Sequence, residues 1–150
     1  MTRARRLTYA LLRIVVGVLF MQHGGQKLYG WFGGVGGPPG ATVPLNSLMG
    51  VAGMLEFYGG LAIAIGLLTR PVAFLLAGEM AVAYFMSHFP RGFWPLQNRG
   101  EAAALYSFIF LFFSAHGAGG FSVDSLLFHR YRRHPHVDEG PLPEARSRVA

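Results

Sequence analysis

The sequence predicts an all-α fold, a transmembrane four-helix up-down bundle, on three observations. Charged residues make up only 13% of the 150-residue chain and hydrophobic ones 52%, whereas a soluble domain carries about 25% charge. Four apolar runs of about membrane-spanning length follow one another, and a span takes about 17–25 apolar residues. None shows the continuous polar stripe that each helix of a soluble bundle presents to water. These observations exclude a disordered chain and an ordinary soluble enzyme. The spans fall at about 7–28, 48–68, 71–89 and 102–118, within a transmembrane domain of residues 1–128. Residues 129–150 are polar and proline-punctuated, and are expected to form a loosely ordered cytoplasmic tail.

Each element has its own signal. The first run follows Arg3, Arg5 and Arg6 and resembles a signal peptide, but Met21 to Lys27 offers no small-residue cleavage site. It is read as a retained span. Tyr29 to Ser47 is an uncharged glycine- and proline-rich loop. Thr69-Arg70 forms a tight turn into the third run, where Pro71 suits a first helical turn. Pro90 to Glu101 links the third and fourth runs.

The net charge of +6 is gathered at the termini, with three arginines before the first span and five after the last. Such flanking charge orients a protein in a lipid bilayer rather than binding nucleic acid. With Arg70 in the short turn, it places both termini and that turn in the cytoplasm. Arg91 and Arg99, in the second outer loop, run against this rule and suggest that the loop has a task.

Ionisable groups inside spans are costly and mark functional candidates. In this topology His23, Lys27, Glu56, His88, Arg99 and Glu101 come from four helices yet share the outer half, with Glu79 beneath them at mid-depth. Lys27 and His23 are four apart and share a helix face. Glu56 lies on a ridge with Ala52, Gly60 and Ala64, whose small side chains admit a neighbouring helix and direct Glu56 into the bundle. Short connections make the first two spans neighbours, within reach of a Glu56 contact to His23 or Lys27. Glu79 has no basic residue nearby on its own span, and Arg13 is its expected partner. Glu79 and His88, nine residues apart, lie about 180° apart on a regular helix. They can share a site only if the helix bends.

The chain has no cysteine, which removes disulfides, thiolate metal sites and cysteine nucleophiles. No metal-ligand set stands out. Gly33-Gly-Val-Gly-Gly37 lacks the strand and helix of a dinucleotide-binding turn.

From Arg13 to Asp124 the chain resembles the DoxX family of small four-helix bacterial membrane proteins. The similarity lies in Arg13 with His23-Gly-Gly-Gln-Lys-Leu28, Glu56-Phe-Tyr-Gly-Gly60 and Gly66-Leu-Leu-Thr-Arg70. It continues with Glu79 and Met80 in an alanine-rich helix, Asn98-Arg-Gly-Glu101, and Gly119-Gly-Phe-Ser-Val-Asp124. The resemblance implies a bacterial inner (plasma) membrane location. It also implies membership, as membrane subunit or accessory protein, of a quinone-linked oxidoreductase or redox-stress complex. A quinone would suit the outer polar cluster of His23, Lys27, Glu56, Glu79, His88 and Glu101, with Tyr58, Tyr84 and the phenylalanine-rich fourth span holding its ring and tail. The expected partners are the bilayer and either a soluble oxidoreductase or a second copy of the chain. The other reading is a non-catalytic scaffold or small-molecule carrier, whose carboxylates form structural pairs or hold a solute. Whether the chain has catalytic activity of its own stays open at this level.

Overall fold

The computed structural model describes residues 2–129. The expected tail from residue 130 onward lies outside the described residues. Six helices are formed among them: α1 (Arg3–Tyr29), α2 (Leu48–Ile65), α3 (Thr69–Arg91), α4 (Pro95–Asn98), α5 (Glu101–His116) and α6 (Val123–His129). Helices α1, α2 and α3, of 27, 18 and 23 residues, are long and apolar enough to cross a membrane. Helix α5 is apolar but has 16 residues, about 24 Å at 1.5 Å per residue. The four long helices alternate in direction and form an all-α transmembrane bundle. One end carries the tight α2–α3 turn and the start of α1; the other carries the two long connections. They are called the turn end and the loop end below.

Residue size sets how closely each pair of helices approaches. Helices α1 and α2 meet through glycine. A Cβ on Gly17 would run into the backbone of Gly60 and Ala64, and one on Gly60 would lie 2.6 Å from the Met21 nitrogen. Gly24 meets Gly53 and Phe57 in the same way one layer nearer the loop end. Gly60 and Ala64 of the expected small-residue ridge thus pack as the sequence implied. Helices α1 and α5 instead pack through rings: Phe20 on Phe110 at 4.7 Å between centroids and Tyr9 on Phe113 at 5.7 Å. Phe20, Phe110, Phe113, Ile63 and Leu76 are fully buried at the centre. Helix α3 lies along α5, where the Ser107 hydroxyl donates to the Ala77 carbonyl at 3.0 Å. The outward residues, Leu11, Val15, Phe74, Leu105 and Phe108 among them, are exposed apolar side chains, which suits a lipid-facing surface.

The turn end is tied together by side chains. Leu68 has a left-handed backbone (φ 47°), and α3 begins without a cap from its own sequence. Asp124, far along the chain, supplies it: its carboxylate accepts from the Leu68 nitrogen at 2.8 Å and the Thr69 nitrogen at 2.9 Å. Arg13 is buried beside it, 1% exposed, and its Nη2 donates to the Phe121 carbonyl at 2.6 Å. Gly66, with φ 73°, leaves the space that the Arg13 guanidinium fills. The expected Arg13–Glu79 pair is therefore corrected. Arg13 serves the joint between α1, the α2–α3 turn and the segment leading into α6, while neither Glu79 carboxylate oxygen has a hydrogen-bond partner.

Candidate functional site

Two helices depart from regular α geometry along the wall of one cavity. In α2 the residues Leu55–Gly59 form a π-helical turn, and in α3 so do Tyr84–His88. A π turn inserts one extra residue into the helix and shifts the phase of everything beyond it; such bulges recur at functional sites. The shift answers the phase problem at Glu79 and His88. Both line one cavity, although nine residues of regular helix would set them on opposite faces. In α2 the π turn carries Glu56, which is 4% exposed.

The cavity has a volume of about 750 Å³. It lies in the loop-end half of the bundle between α1, α2, α3 and the start of α5. His23 and Lys27 enter from α1, Glu56 from α2, Glu79 and His88 from α3, and Arg99 from the connection before α5. Most of the remaining wall is apolar, including Phe20, Leu55, Leu75, Val82 and Met86. Five of the six residues expected from the sequence thus come together. The sixth, Glu101, does not. It is exposed at the first turn of α5 and is absent from the cavity wall, where an acidic side chain opposes the helix dipole.

The polar groups fall into three states. Lys27 and Glu56 form an ion pair, the Lys27 ammonium donating to Glu56 Oε1, with side chains 15% and 5% exposed. His23 stands at the edge of the cavity, its ring 6.2 Å from that of Tyr106 in an edge-on arrangement. His88 is held by the loop: its Nδ1 lies 3.2 Å from the Asn98 carbonyl and 3.4 Å from Arg91 Nη2. Glu56 Oε2 and both oxygens of Glu79 are buried and have no hydrogen-bond partner among the described residues. A buried acceptor left unmatched is costly, and three of them lie in the wall of one cavity.

The aromatic residues are distributed differently from expectation. Tyr58 is exposed, and its hydroxyl lies 3.3 Å from that of Tyr29, outside the cavity. Tyr84 belongs to the loop scaffold, donating to the Phe93 carbonyl at 2.8 Å and receiving Asn98 Nδ2 at 3.2 Å. In the fourth span, Phe110 and Phe113 are core residues; Tyr106 is the ring that reaches the cavity. Sequence reasoning missed Tyr106 and the fully buried Asn98. Asn98 fixes the connection between α3 and α5 through the Gly92 carbonyl at 2.7 Å and the Gly100 nitrogen at 2.7 Å. Its only sequence signal was its place in the Asn98-Arg-Gly-Glu101 segment.

The fold and the cavity define a class: a small multi-pass helical membrane protein with a largely apolar pocket that carries a few ionisable groups inside its bundle. The DoxX family profile matches residues 8–89, which covers α1 to α3 and five of the cavity's ionisable residues. An uncharacterized protein of Haemophilus influenzae is 41% identical over 122 residues, spanning 79% of this chain and 90% of the relative. The inner membrane protein YqjF of Escherichia coli is 34% identical over 122 residues, spanning 77% and 88%. No solved structure matches the chain. The chain belongs to the DoxX family.

Proposed function

We propose that the protein is a bacterial inner-membrane subunit or accessory protein of a quinone-linked oxidoreductase, with the loop-end cavity as its quinone site. The arginines near both termini support a cytoplasmic placement of those ends, which puts the cavity in the outer half of the membrane in this reading. The name of the Escherichia coli relative supports the location. The observation that carries the functional reading is the cavity itself. Its volume of about 750 Å³ falls within the range of about 300–1,000 Å³ usual for small-molecule sites, and an apolar wall with a few convergent polar groups is their usual lining. Lys27 and His23 are donors suited to quinone carbonyl oxygens, and Glu56 and Glu79 are acceptors suited to the hydroxyls of the reduced form. Carboxylates placed there can also take up and release the protons that quinone reduction requires.

Extraction of the protein purified with its native lipid tests the proposal. The expected result is bound quinone in the parent and its loss in Glu79→Leu at unchanged melting temperature. Absence of quinone from the parent, together with no effect of Glu56→Gln on quinone-dependent activity, would overturn it.

The Lys27–Glu56 ion pair favours a second reading, in which the carboxylate is structural and the protein is a scaffold or solute carrier. The two readings differ in their dependence on a partner. A redox subunit co-purifies with a soluble oxidoreductase in mild detergent, whereas a carrier binds its solute alone.

A further inference from the structure

Glycine within a helix lowers helix stability relative to alanine, and in this bundle it is otherwise explained by close packing. Gly17, Gly24, Gly25, Gly50, Gly53, Gly59 and Gly60 each have neighbours that a Cβ would meet. Gly78, in the middle of α3, is the exception among the described helical glycines: nothing lies within 4 Å of the position its Cβ would take. It is exposed, lines the cavity and immediately precedes Glu79. Helices α2 and α3 are in contact chiefly through α2 from Leu55 onward, and they separate toward the loop end. The edges of that gap, Leu48 and Val51 on α2 and Leu75, Val82 and Met86 on α3, are apolar, between 45% and 66% exposed, and line the cavity. The opening therefore has apolar lips on two helices apolar and long enough to cross a membrane, and the buried atoms behind it without partners among the described residues are Glu56 Oε2 and both oxygens of Glu79.

We infer that the cavity is loaded sideways from the bilayer through the gap between α2 and α3 at Gly78, and that it takes a single-chain amphiphile whose head donates hydrogen bonds to Glu79 and Glu56. The chain of the ligand lies between the apolar lips, where a side chain larger than hydrogen at position 78 would stand in its way. The head passes Gly78 to reach Glu79 and, deeper, the free oxygen of Glu56. A water-soluble substrate would leave the apolar lips without a role; a purely apolar one would leave three acceptors unmatched. The inference deepens the proposed site and rests on its being a ligand pocket, but not on the head group being a quinol.

Two measurements in lipid nanodiscs test it. Because the chain has no cysteine, Gly78→Cys can carry a single nitroxide label. The expected result is relaxation by dissolved oxygen rather than by a water-soluble nickel chelate; strong relaxation by the chelate would overturn the lateral opening. The second measurement is binding of decylubiquinol and of 4-dodecylphenol, a hydrogen-bond donor that is not a quinol, to the parent, Gly78→Trp and Glu79→Leu. Both variants are expected to weaken dodecylphenol binding at least tenfold, with melting temperatures no lower than the parent's. Unchanged dodecylphenol affinity in Gly78→Trp would overturn the route, and unchanged affinity in Glu79→Leu would overturn the assignment of the head-group acceptor. A parent that binds dodecylphenol but not decylubiquinol would remove the quinone reading and leave this inference standing. A parent that binds neither would remove this inference.

Discussion

The two ends of the bundle each bury charged residues, and they use them in opposite ways. At the turn end, Arg13 and Asp124 fill space and bond to backbone groups, although Arg13 Nε and Nη1 are buried with no hydrogen-bond partner among the described residues. Asp124 accepts from two nitrogens at the start of α3, and Arg13 occupies the hollow that Gly66 leaves. At the loop end, Lys27 and Glu56 pair, but Glu79 and one oxygen of Glu56 face a cavity with no protein partner. One end is a joint closed by side chains from distant parts of the sequence. The other is a site held open by two π turns and a glycine with no packing duty. Buried charge in a membrane protein is therefore no single signal: at the turn end it is packed into the fold, and at the loop end it lines a cavity.

The comparison is broken most severely at the turn end. Asp124→Ala removes the cap of α3 and the acidic group in electrostatic range of Arg13. Two backbone donors, one of them on the fully buried Thr69, lose their acceptor at about 1–3 kcal/mol each, read as a large fall in detergent-extracted yield and melting temperature. Next is the glycine seam. Gly60→Val forces α1 and α2 apart, because its new side chain meets the Met21 backbone. Overpacking of this kind costs about 1–3 kcal/mol, and thermal unfolding in detergent measures it.

The third prediction sets the two carboxylates of the site against each other. Glu56→Gln weakens the Lys27 interaction and is expected to lower stability by about 1–3 kcal/mol. Glu79→Gln breaks no contact and is expected to leave the melting temperature within the scatter of the parent. An Arg13–Glu79 pair, as expected from the sequence, would give Glu79 the larger stability cost; with Arg13 engaged at Phe121, the order is reversed. Equal destabilisation by both variants would show that Glu79 has a structural partner after all. The smallest effect is expected at Tyr58→Phe. The residue is exposed and outside the cavity, so neither melting temperature nor dodecylphenol binding should change.

The four long apolar helices and their order were legible in the sequence, because length and hydropathy follow from the thickness of the bilayer and need no tertiary information. Five of the six candidate site residues were found by the same reasoning: an ionisable group at membrane depth is too costly to be incidental. What depth cannot supply is azimuth and partner. Glu101 shares the level of the cavity but faces away from it, and Tyr106, uncharged, gave no signal. The joining of Glu79 and His88 needed a π turn, whose phase shift does not follow from a periodicity of 3.6 residues. Arg13 and Asp124 are separated by most of the chain, and no local pattern could say that one would be seated at Gly66 and the other at the start of α3. The sequence determined which residues fall on each long helix and how far along it they stand. The tertiary structure decided which of them face one another, because helix phase, glycine contacts and distant caps depend on neighbours that only packing brings together.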